Sequence, residues 1–502
     1  MFRLRRMGID TQSEHVIFIH ADTVAQGILG LKPLDRVLVR GEDPQTGRTR
    51  EITGILNFCE DSMLDRAEIG LSNVAFADLG LEETASVRAV LAVPPTSVDH
   101  VRRKLRGHRL DRVHFDEILR DVAARRYSKP ELSMFVLACA LQNLDVQEVA
   151  DFTQAMVSSG SSLHFDEAIV ADKHCIGGVP GNRTTMIVVP ILASLGLTVP
   201  KTSSKAITSA AGTADTMSAL ACVELPNHRL HRVVEQTGGC IAWGGALELA
   251  PADDVLITVE RPMQLDTEAQ MVASILAKKK TAGATHALID IPIGPSTKIR
   301  SQAAAEQLSS LFCHVARIIG LELDVVTTDA HGPIGCGIGP RLEALDVLAV
   351  LRREPDAPSD LREKSLFLAG RILERTGSVP DAGGYLAARQ ELDSGRAEAR
   401  FAEIVRAQGE RDLPEEARFR RTIESTRDGR IRQIDCLGVN RVAKLAGSPA
   451  HPSAGLRCLR RVGEVVSRGE PLFELHAQSE PQLEIASDYL SLQLGEIVEF
   501  GY

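Results

Sequence analysis

The sequence predicts a multidomain α/β protein: a β-rich N-terminal domain, a helical domain, an α/β domain with a largely parallel sheet, and an α+β C-terminal domain. Three observations predict it. A chain of 502 residues is several times the usual ~100–200 residues of one domain. Apolar spacing changes along it, from strict alternation to helical periodicity to short β-branched runs between helices. A content of 44% hydrophobic and 25% charged residues is that of an ordinary globular protein that folds by core burial.

Residues 1–85 contain alternating runs such as HVIFIH and DRVLVR, separated by Gly, Pro and Asp signals, which predicts β-hairpins. Residues 86–164 turn to helical periodicity in FDEILRDVAARRY, PELSMFVLACALQNL and DVQEVADFTQAMVSSG, with Pro130 suited to a first helical turn. Residues 165–420 alternate AIVAD, TMIVVPILASL, HALIDIPI and LDVVTTD with helical segments, the pattern of a parallel sheet. Toward their end the charged stretch from about Arg353 to Arg421 predicts exposed helices and connections. Residues 421–502 carry VGEVVSRGEPLFELH and LSLQLGEIVEF, whose short alternating runs and glycine turns predict a compact β or α+β unit. The first of these phrases is similar to the turn of lipoyl- or biotin-carrying barrels, but no lysine stands at the hairpin tip, which favours a structural role.

Lys and Arg number 57 against 67 Asp and Glu, a net charge of −10, which argues against sequence-independent binding to nucleic acid or an anionic membrane. An anionic ligand therefore needs a local cluster. Nine scattered cysteines without a CxxC pair predict reduced thiols rather than a disulfide frame or a zinc site. No apolar stretch has the form of an export signal or a membrane span, so a cytoplasmic protein is expected.

Four polar segments could carry chemistry. Asp172–Thr185, DKHCIGGVPGNRTT, leaves a strand through glycines and enters a helix, so its backbone N–H groups and Lys173 can cradle an anion. It has neither the P-loop GKS/GKT nor the GxGxxG spacing, and a purely structural turn is the competing reading. Lys201–Asp215, KTSSKAITSAAGTAD, offers hydroxyls, backbone amides and lysines to phosphate or sugar oxygens, or else is a surface loop with a helix cap. In Glu260–Lys280 a helix opened by Asp266 or Thr267 sets Gln270, Ser274 and Lys278 on one polar face, which is either solvated or turned to a ligand; Lys298 follows the strand HALIDIPI. Thr327–Gly339 runs from a strand end into glycines, the place where parallel sheets bind ligands.

DKHCIGGVPGN, TSSKAITSAAGTADTM and VERPMQLDTEAQMVASILAKKK, in that order, resemble the thymidine/pyrimidine-nucleoside phosphorylase family, specifically its longer branch with an extra N-terminal domain that includes AMP phosphorylase. The resemblance runs from about Arg109 to the C-terminus, and the first ~85 residues fit the extra domain more loosely. It implies displacement of a base from C1′ of a nucleoside or nucleotide by inorganic phosphate, giving a pentose 1-phosphate, with no metal or other cofactor. It also implies a homodimer acting on small molecules.

The shorter thymidine phosphorylases match at Lys173, Ser203, Thr185 and Thr213 for phosphate, at His174 for the catalytic histidine, and at Ser274 and Lys278 for the base. Where they carry a serine after the histidine, this chain has Cys175, a poor donor. Their base-contacting arginine has no counterpart among Thr258–Arg261. The AMP phosphorylase branch matches at Asp266 for the proton donor and at Gly178, Ser204, Lys205, Ala206, Ile207, Thr208, Ser209, Thr213, Ser274 and Lys298 for ligand contacts. That branch commonly has arginine where this chain has Lys205, and a planar fork and a point charge bind phosphate differently. A nucleotide sensor that keeps the cradle without turnover is the alternative, disfavoured by the presence of both Asp266 and His174.

Overall fold

The computed structural model describes the chain apart from residues 13, 26–29, 61, 207, 208, 248, 266, 381 and 502 and the side chains of 24 and 25. It divides into two compact units, Met1–Gln142 with Val255–Leu265, and Asn143–Asp254 with Asp266–Tyr502.

In the first unit, six strands, Phe2–Arg6, Val16–His20, Arg36–Glu42, Thr49–Cys59, Glu68–Leu71 and Ser86–Leu91, close into a barrel in the order first, fifth, second, fourth, third, sixth. The alternation read from the sequence is present: Ile17, Ile19, Val37 and Val39 are fully buried at every second position. Simple hairpins, however, do not describe the pairing. Phe2–Arg6 runs parallel to Glu68–Leu71, and Val16–His20 parallel to Thr49–Cys59, because closing the ring requires strands distant in sequence to meet. The sixth strand also carries the β structure past the boundary expected at residue 85.

Three helices follow, Val98–Leu105, Arg112–Ala123 and Lys129–Leu141. Pro130 lies in the first turn of the third, as expected, and Ser128 caps it reciprocally with Glu131, which satisfies two otherwise orphan N–H groups. The fourth helix of the predicted helical domain, Val146–Ser158, has its contacts with the second unit. There its Val149 and Ala150 pack in one core with Val272, Leu276 and Phe312.

The second unit is built on parallel strands. His286–Ile293 lies between Ala171–Cys175 and Glu322–Asp329, parallel to both. Val199–Ser203 pairs in parallel with Gly239–Trp243, and a Val170–Thr198 bridge joins the two groups. The helix Thr185–Ser194 is apolar on every side and buried throughout except its last residue, as a helix at the centre of a core must be. Around it pack Leu361, Leu366, Ile372, Phe401 and Ile404. The stretch expected to form exposed helices therefore forms amphipathic ones, Ser359–Arg375, Gly384–Asp393 and Arg396–Gln408, whose apolar faces complete the main core.

Toward the C-terminus a four-stranded and a three-stranded sheet pack with helices Cys436–Leu445 and Glu480–Ile497. The run LSLQLGEI belongs to the second of these helices. Ser479 caps it, Pro481 stands in its first turn, and Leu483, Ala486, Leu490 and Leu494 form its buried stripe; only Val498–Gly501 is strand. Among the described residues no helix is long and apolar enough to cross a membrane.

Candidate active site

The carboxyl ends of Ala171–Cys175, Val199–Ser203 and Glu322–Asp329 lead into three of the four polar segments that the sequence singles out, as expected for ligand sites in α/β sheets. Lys173 is 2% exposed and donates from Nζ to Thr184 Oγ1 at 2.8 Å. Thr184 donates on to Asn182 Oδ1 at 3.1 Å, and Asn182 Nδ2 reaches Cys175 Sγ at 3.2 Å. Burial pulls the Lys173 ammonium below the ordinary lysine value, opposed by Cys175 and Asp290. Thr185, the residue matched for phosphate, begins the following helix and is buried; its neighbour Thr184 carries the hydroxyl that meets the Lys173 ammonium.

The glycine turn is held open by close approaches. At Gly178, with φ +91°, an added Cβ would lie 3.3 Å from Thr297 Cα, so the turn rests on the segment that carries the exposed Lys298. At Gly181, with φ +71°, a Cβ would fall 2.0 Å from the Ile334 carbonyl oxygen, and only glycine fits there. Arg183 ties the turn to the hydroxyl-rich loop. Its guanidinium donates to Glu343, to the Ala211 carbonyl at 2.6 Å and to Thr213 Oγ1 at 3.3 Å.

That loop begins at Ser203, the end of its strand, and closes on Thr213, the first residue of the helix Thr213–Ser218. Asp215 Oδ2 accepts from the backbone N–H of Ala206 at 2.5 Å and of Gly212 at 2.8 Å. The Ser204 carbonyl accepts from Ala214 N–H at 3.3 Å, and Ser209 donates to the Ala211 carbonyl at 2.8 Å. Lys205 reaches Glu224 at 3.0 Å. Ile207 and Thr208 lie outside the described residues.

Asp266 also lies outside them. The helix Glu268–Thr281 is capped by Thr267, whose side chain accepts from Gln270 N–H at 3.2 Å. Its polar face is not a solvated one: Gln270 is buried, Ser274 is half-buried, and Lys278 forms an ion pair with buried Asp253 at 2.5 Å. The pKa of His174 is driven well below the ordinary histidine value by burial first and then by the charges of Lys279, Lys201, Lys173 and Lys278. The ring is therefore neutral at pH 7, able to donate or accept a hydrogen bond but holding no acidic imidazolium proton.

Beneath these groups lies a buried triad absent from the sequence reading. Asp172 meets Lys279 at 2.6 Å and Lys201 at 3.3 Å, all three at most 3% exposed. Burial works to raise the Asp172 pKa, but the two ammonium groups outweigh it and hold the carboxyl below its usual range. Neighbouring Asp290 is similarly held by Lys364, at 2.9 Å, and Thr328, at 2.6 Å. Among the described residues no group of three or more His, Cys, Asp or Glu could hold a metal ion. The arrangement concentrates positive charge and fixed donors at one end of the sheet, where an anion can be held.

Residues 98–160 match the Glycosyl transferase family, helical bundle domain, residues 167–288 the Glycosyl transferase family, a/b domain, and residues 430–493 the Pyrimidine nucleoside phosphorylase C-terminal domain. A Polaromonas sp. strain JS666 protein named "Putative thymidine phosphorylase" is 46% identical over 98% of this chain and 95% of its own. "Putative thymidine phosphorylase 1" of Acidovorax sp. strain JS42 is 47% identical over 97% of this chain and 95% of its own. In fold, anthranilate phosphoribosyltransferase from Thermus thermophilus is similar over 62% of this chain and 99% of that one, with a TM-score of 0.53 at 20% identity.

Proposed function

The chain belongs to the thymidine/pyrimidine-nucleoside phosphorylase family, and from that premise we propose that it catalyses phosphorolysis of the N-glycosidic bond of a nucleoside or nucleoside 5′-monophosphate. The observation that carries the proposal is buried Lys173, hydrogen-bonded to Thr184 at the mouth of a glycine turn. An ammonium kept out of water beside a hydroxyl and a glycine turn suits a phosphate dianion. Inorganic phosphate is the co-substrate and nucleophile, so the reaction calls for no further cofactor.

Phosphate held by Lys173, Ser203, Thr185 and Thr213 attacks C1′ as the C1′–N bond to the base breaks and the sugar passes through a cation-like state. The departing base takes a proton from Asp266. His174, being neutral, orients substrate by hydrogen bonding, and Ser274 and Lys278 face the base. In this reading the enzyme works in the cytoplasm as a homodimer.

Incubating the protein with phosphate and a panel of nucleosides and their 5′-monophosphates, with free base detected by chromatography, tests the reaction. Release should depend on phosphate, and no free base from any member would overturn the proposal. Lys173→Ala removes a charge-assisted bond of roughly 1.5–3 kcal/mol, so the phosphate KM should rise about tenfold or more. An unchanged KM would mean that phosphate binds elsewhere.

The depressed pKa of Lys173 adds a pH test. Because its ammonium gives up its proton below the ordinary lysine value, kcat/KM for phosphate should decline on the alkaline side before pH 10.5 is reached. A profile flat up to that pH would remove Lys173 from the phosphate site.

For the substrate we favour the 5′-monophosphate. The loop from Ser203 to Thr213 supplies hydroxyls and Lys205 for a second phosphate, while the arginine that would read a pyrimidine edge is missing. The names carried by the relatives favour thymidine instead. Comparing kcat/KM for thymidine, uridine, AMP and CMP decides between them, and a clear preference for thymidine over every monophosphate would overturn the nucleotide reading.

A further inference from the structure

Trp243, the single tryptophan of the chain, ends the strand Gly239–Trp243, and the parallel register sets it beside Ser203. Its backbone N–H donates to the Val223 carbonyl at 2.8 Å, which brings the next residue, Glu224, to the same corner. The ring lies against Gly245, where a Cβ would come within 2.6 Å of a ring carbon. Over the ring, 3.8 Å from its centroid, stands the Lys205 ammonium, which is also 3.0 Å from the Glu224 carboxylate. A lysine on a flexible four-carbon stem has no fixed direction of its own. Here an aromatic face, itself fixed by a strand end and a glycine, supplies that direction.

We infer that Trp243 is a positioning residue that presents the Lys205 ammonium to the 5′-phosphate of a nucleoside monophosphate, with Glu224 as the counter-charge that the phosphate displaces. The inference rests on the monophosphate reading of the substrate site. Lys205 and Glu224 are 41% and 60% exposed, so their pairing is screened by solvent and yields readily to a dianion. The ring face stays in place throughout and keeps the ammonium from sweeping away when its carboxylate partner is exchanged for phosphate.

Steady-state kinetics of three variants test this. Trp243→Leu should raise the KM for CMP and AMP about two- to fivefold, the scale of an exposed cation–π contact, with kcat and the KM for uridine and thymidine unchanged. Trp243→Phe, which keeps an aromatic face, should recover most of the loss. Glu224→Gln should act in the opposite direction and lower the KM for both monophosphates, because a competitor for Lys205 is gone. In the wild type, CMP added without inorganic phosphate should shift the Trp243 emission, and Lys205→Met should abolish the shift.

A Trp243→Leu loss shared equally by nucleosides and monophosphates, or a Glu224→Gln variant whose monophosphate KM is unchanged or higher, would overturn the inference. Its failure is distinct from that of the substrate reading. If the wild type prefers nucleosides, the monophosphate reading itself falls; if it prefers monophosphates and Trp243→Leu keeps that preference in full, only the role of Trp243 falls.

Discussion

Asp266→Asn is expected to lower kcat by about 10²–10⁴-fold, the usual contribution of a general acid, while leaving the helix that follows intact. Asparagine caps a helix about as well as aspartate, and in this protein the capping hydroxyl belongs to Thr267. A loss in Asp266→Asn therefore reports the missing acid rather than a frayed helix. The alternative donor, His174, sits among four lysines and is held neutral by burial and by their charge, so His174→Ala should cost less. An ordinary aspartic acid with pKa near 3.9 has to be raised to serve at pH 7, and Glu260 and Glu268 are the nearest carboxylates in sequence to do so. The kcat profile should then fall on the alkaline side as Asp266 ionises. Near-normal kcat in Asp266→Asn beside a loss of several orders in His174→Ala would assign the proton to the histidine.

Asp172→Asn should destabilise the second unit by about 3–5 kcal/mol, the cost of leaving buried charge without its partner. Lys201 and Lys279 would then face each other with no carboxylate between them. Trp243 reports on this unit, so the urea midpoint of its fluorescence transition measures the effect. Replacing all three by apolar residues of similar volume should recover much of the loss, because it is the orphaned charges that are costly. The pH dependence has two limbs. The folded pKa of Asp172 lies below its unfolded value of about 3.9, so its stabilisation is complete above that value and disappears as pH falls through the folded one. Burial lowers Lys279 despite Asp172, so between its lowered pKa and the ordinary value near 10.4 the unfolded chain binds the extra proton, and stability rises with pH. An Asp172→Asn midpoint within experimental error of the wild type would show that the triad contributes nothing.

The glycine turn, the hydroxyl-rich loop and the helix with Ser274 and Lys278 were legible in the sequence because each is a local pattern with a local physical meaning. The charge triad was not. Alternation along Ala171–Cys175 says that Asp172 and Lys173 point to opposite faces, but not that Lys201 from the next strand and Lys279 from a helix more than a hundred residues away converge on Asp172. Lys279 was hidden by its neighbour, since Lys278 completes the visible fourfold spacing and Lys279 lies one position round the helix. Arg183 stood in plain view as the only arginine of its turn, yet its role depends on Glu343 and Ala211. The barrel's parallel pairings are non-local in the same way. In LSLQLGEI, alternation and helical spacing coincide over a few residues, and the cap at Ser479, outside the run, decides between them.

Val255–Leu265 belong to the unit otherwise formed by Met1–Gln142, and Val255 and Thr258 wall a small pocket with His15, Tyr127 and Leu132. On the ribosome, at about 5–20 residues per second, that wall emerges only after all of Asn143–Asp254 has been made. Through that interval the nascent N-terminal unit stands with this pocket open on the side that Val255 and Thr258 later wall. A gene cut after the codon for Gln142 encodes the unit with its wall missing, whereas one cut after the codon for Leu265 encodes every residue of it.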